Sequence, residues 1–199
     1  MIPPYNTSLV LPPYLGATPV VRANMSPYKA TMLEIVTRFS TSKERAAILT
    51  GLIAYRKALL GIGMAGATQW FAGSFLEDVE QIRKAAPQDI DIVTFHVVPG
   101  VAAKDRQAWY LQNIPLFDRN QTKPVYKCDA FLVDLAADPW LTVGTARYWF
   151  GLFSHQRDTS LWKGLLEVPL TSDDGDADAY LQNIMPLLEG SHHAQETGN

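Results

Sequence analysis

Apolar residues fall into short runs separated by Gly, Pro and Asp, and the two clearest runs predict β-strands at residues 89–98 and 125–135. Beyond Asp91 the first run is mostly apolar on both faces, with Thr94 and His96 as the exceptions, which is typical of a strand buried on both sides. Shorter runs at 69–72 and 162–170 predict two more strands. The chain is therefore expected to build a small sheet with a central, buried strand.

Longer stretches between these runs predict helices. In the second of them Thr41 and Glu44 have the spacing of a capping box, and Gly61 is a natural stop. A segment containing Pro115 and Pro124 is expected to be a loop. The predicted helices are 27–39, 41–60, 75–85, 103–113, one beginning at Asp138-Pro139, and one opened by Asp173, Asp174, Asp176 and Asp178. These four acids are interpreted as the N-terminus of a helix, where the helix dipole favours negative charge, in preference to a metal site.

These elements predict an α/β (α+β) fold with a small mixed sheet flanked by helices. Six of the thirteen prolines lie in the first 27 residues, so the chain should begin as an extended arm, whose apolar residues predict that it docks on the domain. One domain, 1–199, is expected, with the parts in this order: arm 1–26, helical pair 27–62, core 69–170, C-terminal helix 173–189 and mobile tail 190–199.

Composition narrows the classes of function. The chain has 199 residues, 47% of them hydrophobic, and a formal net charge of −3. This balance argues against a disordered chain and against a protein that coats long nucleic acid. The one cysteine, Cys128, is expected in the core and suits a reducing compartment. No signal peptide and no membrane span is predicted, so a cytoplasmic protein without membrane insertion is expected.

Candidate chemistry begins with Asp89 and Asp91, which are two apart on a strand and therefore share a face. Two carboxylates on one face repel each other unless a cation neutralises them, and Mg²⁺ or Mn²⁺ prefers such hard oxygen ligands. The plain alternative is a solvated edge strand. The strand looks buried, however, and Asp is depleted in strands, so a metal site is favoured.

Two further features lie on neighbouring segments. Gly73-Ser74 ends a short strand, and glycine lets a phosphate approach the backbone closely. A third carboxylate is offered by either Asp129 or Asp134. Being five apart, these two face opposite sides of their strand, and Asp129 is preferred because it begins the strand, as Asp89 and Asp91 do.

The order Gly73-Ser74, Asp89-x-Asp91 and Asp129 resembles that of the DNA polymerase β superfamily of nucleotidyltransferases. More loosely, the whole chain looks like short stand-alone prokaryotic members found beside toxin–antitoxin or antiphage-defence genes, including the Hailong-type systems. The resemblance implies a minimal nucleotidyltransferase fold and two Mg²⁺ or Mn²⁺ ions held by Asp89, Asp91 and Asp129. It implies transfer of a nucleoside monophosphate from an NTP or dNTP to a hydroxyl, including template-independent synthesis of a short oligonucleotide.

The cations that would bind the triphosphate are expected outside that motif. Lys163 and Arg157 are the candidates for nucleotide binding, and Arg147 is equally well a stacked structural arginine. His96 has the opposite strand parity from the two aspartates and is expected in the core or an interface. Nothing fixes His155 near a nucleotide. His192 and His193, in the tail, are expected to have no role.

The acceptor stays open among a short nucleic-acid end, a protein hydroxyl and a small molecule. Self-priming at Ser191 or Thr197 in the tail is another alternative, and a partner protein encoded nearby is a further expectation. Ser74 and Asp89 are fifteen residues apart, and Phe75-Leu76-Glu77-Asp78 stands where relatives often have Arg-Gly. A catalytically inactive, antitoxin-like or regulatory protein of the same fold is therefore the second hypothesis. An unrelated α/β domain with incidental aspartates is the third.

Overall fold

A five-stranded mixed sheet organises the computed structural model of the protein. The structure describes residues 1–98 and 102–196, and the side chains of these except 103, 104 and 189–196. The strand order is β1-β5-β2-β3-β4; β1 and β5 are parallel, as are β3 and β4, and the other pairs are antiparallel. The strands are β1 (Tyr28–Lys29), β2 (Thr68–Ala72), β3 (Ile90–His96), β4 (Cys128–Asp134) and β5 (Leu166–Pro169).

Helices cover both faces of this sheet. In the described residues they are α1 (Met32–Phe39), α2 (Lys43–Gly61), α3 (Val79–Arg83), α4 (Ala103–Asn113), α5 (Arg119–Tyr126), α6 (Pro139–Phe153) and α7 (Asp174–Glu196). The mixed α+β class predicted from the sequence is confirmed. β3 lies between β2 and β4 and is almost wholly buried, as its apolar pattern predicted.

Alternation along the strands separates two cores. Ile92 of β3 and Ala130 of β4 belong to the larger core, which includes residues of α1, α2 and α7. Val93, one residue on, faces the opposite side and packs in a smaller core with Trp149 and Phe153 of α6. Asp91 has the parity of Val93, so the candidate carboxylates lie on the face that α6 covers.

The N-terminal arm docks as expected. Val10 and Leu11 are fully buried. The Leu9 carbonyl accepts a hydrogen bond from the Asp78 amide at 2.9 Å, and the Leu11 carbonyl accepts one from the Gly164 amide at 2.7 Å. The arm therefore joins the segment after Gly73-Ser74 to the segment that leads into β5.

The beginning of the chain differs from the prediction in two places. The helix expected at 27–39 begins only at Met32, because Thr31 and Glu34 form the capping box there, and Tyr28 instead pairs with Leu166 as part of β1. The next helix begins at Lys43, with the Ser42 hydroxyl accepting from the Arg45 amide, so the cap predicted at Thr41 is wrong.

The middle of the chain differs more. A helix at 75–85 was expected directly after Gly73-Ser74, but a single 3-10 turn, Ser74–Leu76, stands there and α3 is short. The loop expected around Pro124 is instead the helix α5. Its N-terminus is capped by Asp118, and Lys127, which follows its last residue, adopts the left-handed conformation. Pro124 removes one backbone donor from these eight helical residues, and the helix forms nevertheless.

The remaining elements are close to the prediction. The helices at 103–113 and after Asp138 are confirmed, and the later strands are shorter than predicted. The turn expected at Pro99-Gly100 lies outside the described residues. α7 continues to Glu196, into the tail expected to be mobile, and Thr197 lies outside the described residues. No helix in the described part of the chain is long and apolar enough to cross a membrane.

Candidate functional site

The three predicted carboxylates meet where the parallel strands β3 and β4 begin. Asp91 is the Cα partner of Asp129 across these strands, and Asp89 immediately precedes β3. On the other side of Asp91, its Cα partner on β2 is Ala72, the residue before Gly73. The order Gly73, Asp91, Asp129 therefore runs across three adjacent strands, and the predicted adjacency of the Asp-x-Asp strand and the later Asp strand is observed.

Asp91 is the electrostatic centre of this group. Burial, followed by the neighbouring carboxylates of Asp89 and Asp129, raises the pKa of Asp91 from 3.8 to about 6. The ammonium groups of Lys163 and Lys123 act in the opposite direction. Ionised Asp91 is thus held in a place that disfavours its negative charge, and a bound cation would relieve this.

Asp129 has one oxygen with a partner and one without. Its Oδ2 accepts a hydrogen bond from Nη2 of Arg119 at 2.7 Å, whereas its buried Oδ1 has no hydrogen-bond partner in the described residues. The residue is only 7% exposed. A buried oxygen without a hydrogen-bond partner destabilises the folded state by about 1–3 kcal/mol, so a hydrogen-bond donor or a cation at Asp129 Oδ1 would be stabilising.

Asp89 is paired with a cation from the same helix. Lys123 Nζ lies 2.5 Å from Asp89 Oδ2, and this contact raises the pKa of Lys123. Arg119 and Lys123 are four apart on α5 and so project from one face of it. Neither residue is indicated by the sequence pattern used above, because Pro115 and Pro124 favour a loop; the signal that identifies them is the Asp118 cap followed by two cations one turn apart.

Gly73 is shaped to admit the Asp91 carboxylate. Its φ of 84° and ψ of −172° belong to a region that is essentially restricted to glycine. A Cβ at this position would lie 3.0 Å from Cγ of Asp91 and closer still to its Oδ2. The backbone after β2 therefore packs directly on the carboxylate, with half-buried Ser74 next to it.

Lys163 supports this turn from within the protein. Its Nζ donates to the Gly73 carbonyl at 3.1 Å and also bonds to the buried carboxylate of Glu77. The other Glu77 oxygen accepts from Gln156 Nε2 at 2.8 Å. Lys163 is thus at the site, as predicted, but its ammonium group is buried and holds the Gly73-Ser74 turn in place.

The other candidate cations, Arg157 and Arg147, do not pair with the carboxylates in the described residues. Arg157 and Arg147 are both exposed, and among the described residues neither forms a hydrogen bond or ion pair with Asp89, Asp91 or Asp129. Arg157 follows α6 and precedes Asp158, which pairs with Arg83 of α3. The cations that the structure brings to the carboxylates are Arg119, Lys123 and Lys163.

Cys128 and His96 are buried, as predicted for residues of the core. His96 lies on the opposite face of β3 beside Trp109, where burial lowers its pKa. His155 Nδ1 bonds to the Gly151 carbonyl. Buried Cys128 bonds to the Tyr126 carbonyl, and burial raises the pKa of its thiol. The side chains of His192, His193 and Ser191 lie outside those described.

The acids that open α7 are structural. Asp174 pairs with buried Arg56 at 2.6 Å, and Asp173 Oδ1 accepts from the Leu33 amide at 3.0 Å. They join α7 to α2 and α1. The preference for helix-terminal acids over a metal site therefore agrees with their contacts.

The donor chemistry of Asp89, Asp91 and Asp129 fits Mg²⁺ or Mn²⁺, since all three supply hard oxygens and one buried oxygen has no partner. In this structure, however, the carboxylates of Asp129 and Asp89 are paired with Arg119 and Lys123. Among the side chains that the structure describes, no three acidic, His or Cys groups are gathered closely enough to hold an ion. A metal ion would compete with Lys123 and Arg119 for the charge of Asp89 and Asp129, whose Oδ2 atoms these cations now hold.

Comparison with known proteins gives a family without an assigned activity. The chain belongs to DUF6932, a family of unknown function, whose sequence model matches residues 3–169. The matched part includes the arm, all five strands and every residue of the carboxylate site. No curated protein and no solved structure matches the chain.

Proposed function

We propose that this protein is a metal-dependent nucleotidyltransferase that moves a nucleoside monophosphate from an NTP or dNTP to a hydroxyl acceptor. The observation that carries the proposal is the row formed by Gly73 at the end of β2, Asp91 on β3 and Asp129 on β4, in which the glycine backbone packs on the Asp91 carboxylate. Three carboxylates and a Gly-Ser turn in this order match the pattern that the sequence shares with the polymerase β superfamily.

The residues divide into two roles. Asp89, Asp91 and Asp129 would hold one or two Mg²⁺ or Mn²⁺ ions, which supply charge neutralisation of the triphosphate and a lower pKa for the acceptor hydroxyl. Gly73 and Ser74, held by buried Lys163, offer a backbone that a phosphate can approach closely. The sheet fixes both groups, so positioning and electrostatics supply most of the rate gain.

The proposed reaction is a substitution at the α-phosphorus. The acceptor oxygen forms a bond to this phosphorus, the bond from it to the α,β-bridging oxygen breaks, and pyrophosphate leaves with that electron pair. The acceptor proton passes to Asp129 or to water. Asp129 suits this step because its Oδ1 has no hydrogen-bond donor in the described residues.

A labelled-substrate screen tests the proposal. The protein is incubated with each ribo- and deoxyribonucleoside triphosphate and Mg²⁺ or Mn²⁺, alone and with a short oligonucleotide, and products are resolved on a gel. We expect metal-dependent transfer from at least one nucleotide and a loss of at least about 100-fold in the Asp89→Asn, Asp91→Asn double variant. Equal activity of the two proteins would contradict the proposed site.

One observation favours a second candidate, a non-catalytic regulatory or antitoxin-like protein of the same fold. Lys123 and Arg119 already neutralise Asp89 and Asp129, as would suit a site that no longer binds metal. This candidate predicts no nucleotide consumption under any condition of the screen. Retained transfer activity would exclude it.

Location follows from the same proposal. Nucleoside triphosphates and a single buried thiol are both typical of a cytoplasmic protein, and a role beside toxin–antitoxin or antiphage-defence genes would agree with this. Co-purification from native cells tests whether a partner protein is present.

A further inference from the structure

The two cations of α5 lie on the far side of the carboxylates from the Gly73-Ser74 turn. Across the sheet the order is the turn after β2, then Asp91 on β3, then Asp129 on β4, and adjacent strands are about 4.8 Å apart. α5 leads directly into β4. Asp129, two strands away from the turn, therefore lies about 10 Å from it, and Arg119 pairs with Asp129 on this β4 side while Lys123 pairs with Asp89 at the start of β3.

The side chains of Arg119 and Lys123 are much more exposed than the carboxylates with which they pair. The side chain of Arg119 is 54% exposed and that of Lys123 is 45% exposed, whereas the carboxylates they pair with are 10% and 19% exposed. Removing the cation from a mostly buried carboxylate is costly unless another cation replaces it, whereas the half-exposed cations themselves can take a different anion at little cost. The carboxylates, fixed at the start of β3 and β4, cannot follow them.

Charge balance drives this exchange when the carboxylates gain another cation. A divalent ion on Asp89 and Asp129 would repel the Nζ of Lys123, which now lies 2.5 Å from Asp89 Oδ2, and the guanidinium of Arg119, which lies 2.7 Å from Asp129 Oδ2. The two released cations would stand together at the β4 edge of the site. They are one helical turn apart, a spacing that suits a flexible backbone bearing regular negative charge.

We propose that Arg119 and Lys123 bind the phosphodiester backbone of the acceptor, and that the acceptor is therefore the end of a short single-stranded nucleic acid. The assignment of this ligand as the acceptor rests on the proposed transferase function. Arg119 also lies over the Phe131 ring, 5.8 Å from its centroid, and this pair offers a flat surface next to the backbone contact. An uncharged protein hydroxyl would make no use of the two cations.

Binding of a fluorescein-labelled short single-stranded oligonucleotide, followed by anisotropy without any nucleoside triphosphate, tests this proposal. The wild-type protein should bind about ten-fold more tightly in Mg²⁺ than in EDTA, because the ion releases both cations. The Arg119→Gln, Lys123→Gln variant should bind about ten-fold more weakly than wild type in Mg²⁺. The slope of log Kd against log salt concentration should fall by about 1.4, or about 0.7 for each lost phosphate contact.

Two further variants separate the proposal from a general effect of charge. Asp89→Asn, Asp129→Asn frees the cations without metal, so it should bind the oligonucleotide in EDTA at least as tightly as wild type does in Mg²⁺. Lys43→Gln, Lys57→Gln removes the same net charge from exposed positions on α2, which packs on the other face of the sheet, and should bind like wild type.

Each outcome decides the proposal. Equal binding by the α5 variant and the α2 control, or no binding of wild type in Mg²⁺, would overturn it and point to a protein hydroxyl or small molecule as acceptor. Because no nucleotide is present, a protein that fails the transferase screen can still pass this test. Conversely, a transferase that extends oligonucleotides normally without Arg119 and Lys123 would contradict this inference alone.

Discussion

At the scale of single residues, the site is defined by a carboxylate that resists ionisation. Asp91 is packed against Gly73, lies between two other acids and has a pKa raised to about 6. The sequence predicted that Asp89 and Asp91 share a face and that Asp129 rather than Asp134 completes the group. It could not predict that Lys163 is buried, because its partner Glu77 is 86 positions away in the chain.

The raised pKa of Asp91 makes stability depend on pH in a direction opposite to that of most acids. In the unfolded chain this carboxyl ionises near pH 4, while in the folded protein it keeps its proton to about pH 6. Between these values the folded state binds more protons, so stability falls as pH rises from 4 to 6 and stays lower above 6. The difference amounts to at most about 3 kcal/mol.

Asp91→Asn should remove this loss. In EDTA we expect the variant to be more stable than wild type at pH 8, by up to about 3 kcal/mol, and equal to it near pH 4. Urea unfolding followed by far-UV circular dichroism at both pH values measures the difference. Asp134→Asn, at the other end of β4, serves as the control. A variant that is less stable than wild type at pH 8 would contradict the electrostatic account of Asp91.

At the scale of elements, the sequence predicted the parts with strong local signals and missed those set by distant contacts. The strand at Ile90–His96, the helix at Ala103–Asn113 and the helix after Asp138 follow from apolar runs and caps. β1 has two residues and exists only because Leu166 and Glu167 pair with it. α5 was missed because a proline within a helix is locally unfavourable, and its packing on α2 and β4 overcomes this.

Close packing between α2 and α5 depends on a glycine in the middle of α2. A Cβ on Gly51 would lie 2.8 Å from the carbonyl carbon of Tyr126, the last residue of α5. This is backbone, so α5 itself would have to move. Arg119 and Lys123 would move with it, away from the carboxylates.

Gly51→Ala should therefore destabilise the protein by about 1–3 kcal/mol, although alanine is the better helix former. Gly61→Ala, in the same helix, meets no atom within 4 Å and should be neutral or stabilising by up to about 1 kcal/mol. Urea unfolding of the two variants makes the comparison. If both substitutions stabilise the protein, the contact between α2 and α5 is looser than the structure indicates.

At the scale of the whole molecule, one arginine joins the helical layer to the sheet. Arg56 of α2 is fully buried and bonds to Gln69 of β2, to Asp174 of α7 and to the carbonyls of Pro169 and Leu170 at the end of β5. Four separate parts of the chain thus meet on one guanidinium. Its five donors in a planar fork make this arrangement possible.

Arg56→Met should destabilise the protein by about 3–5 kcal/mol, because it leaves the Asp174 carboxylate and buried acceptors without a donor. Arg83→Met is the matched control: Arg83 and its partner Asp158 are both exposed, and its loss should cost less than about 1 kcal/mol. The midpoint of urea unfolding reports both. Similar losses for the two variants would show that Arg56 does not join the layers.

The strand order has a consequence for how the chain acquires its shape during synthesis. The carboxylate half of the sheet, β2-β3-β4, is complete once Asp134 has been made, but β5, which pairs with β2 on one side and with β1 on the other, is made only after it. On the ribosome, where domains fold as synthesis proceeds at about 5–20 residues per second, β2 therefore waits several seconds with an open edge. β5 then closes the open edge of β2, and its other edge orders Tyr28 and Lys29 as β1. The arm, synthesised long before, completes this end of the sheet when the Leu11 carbonyl accepts the Gly164 amide.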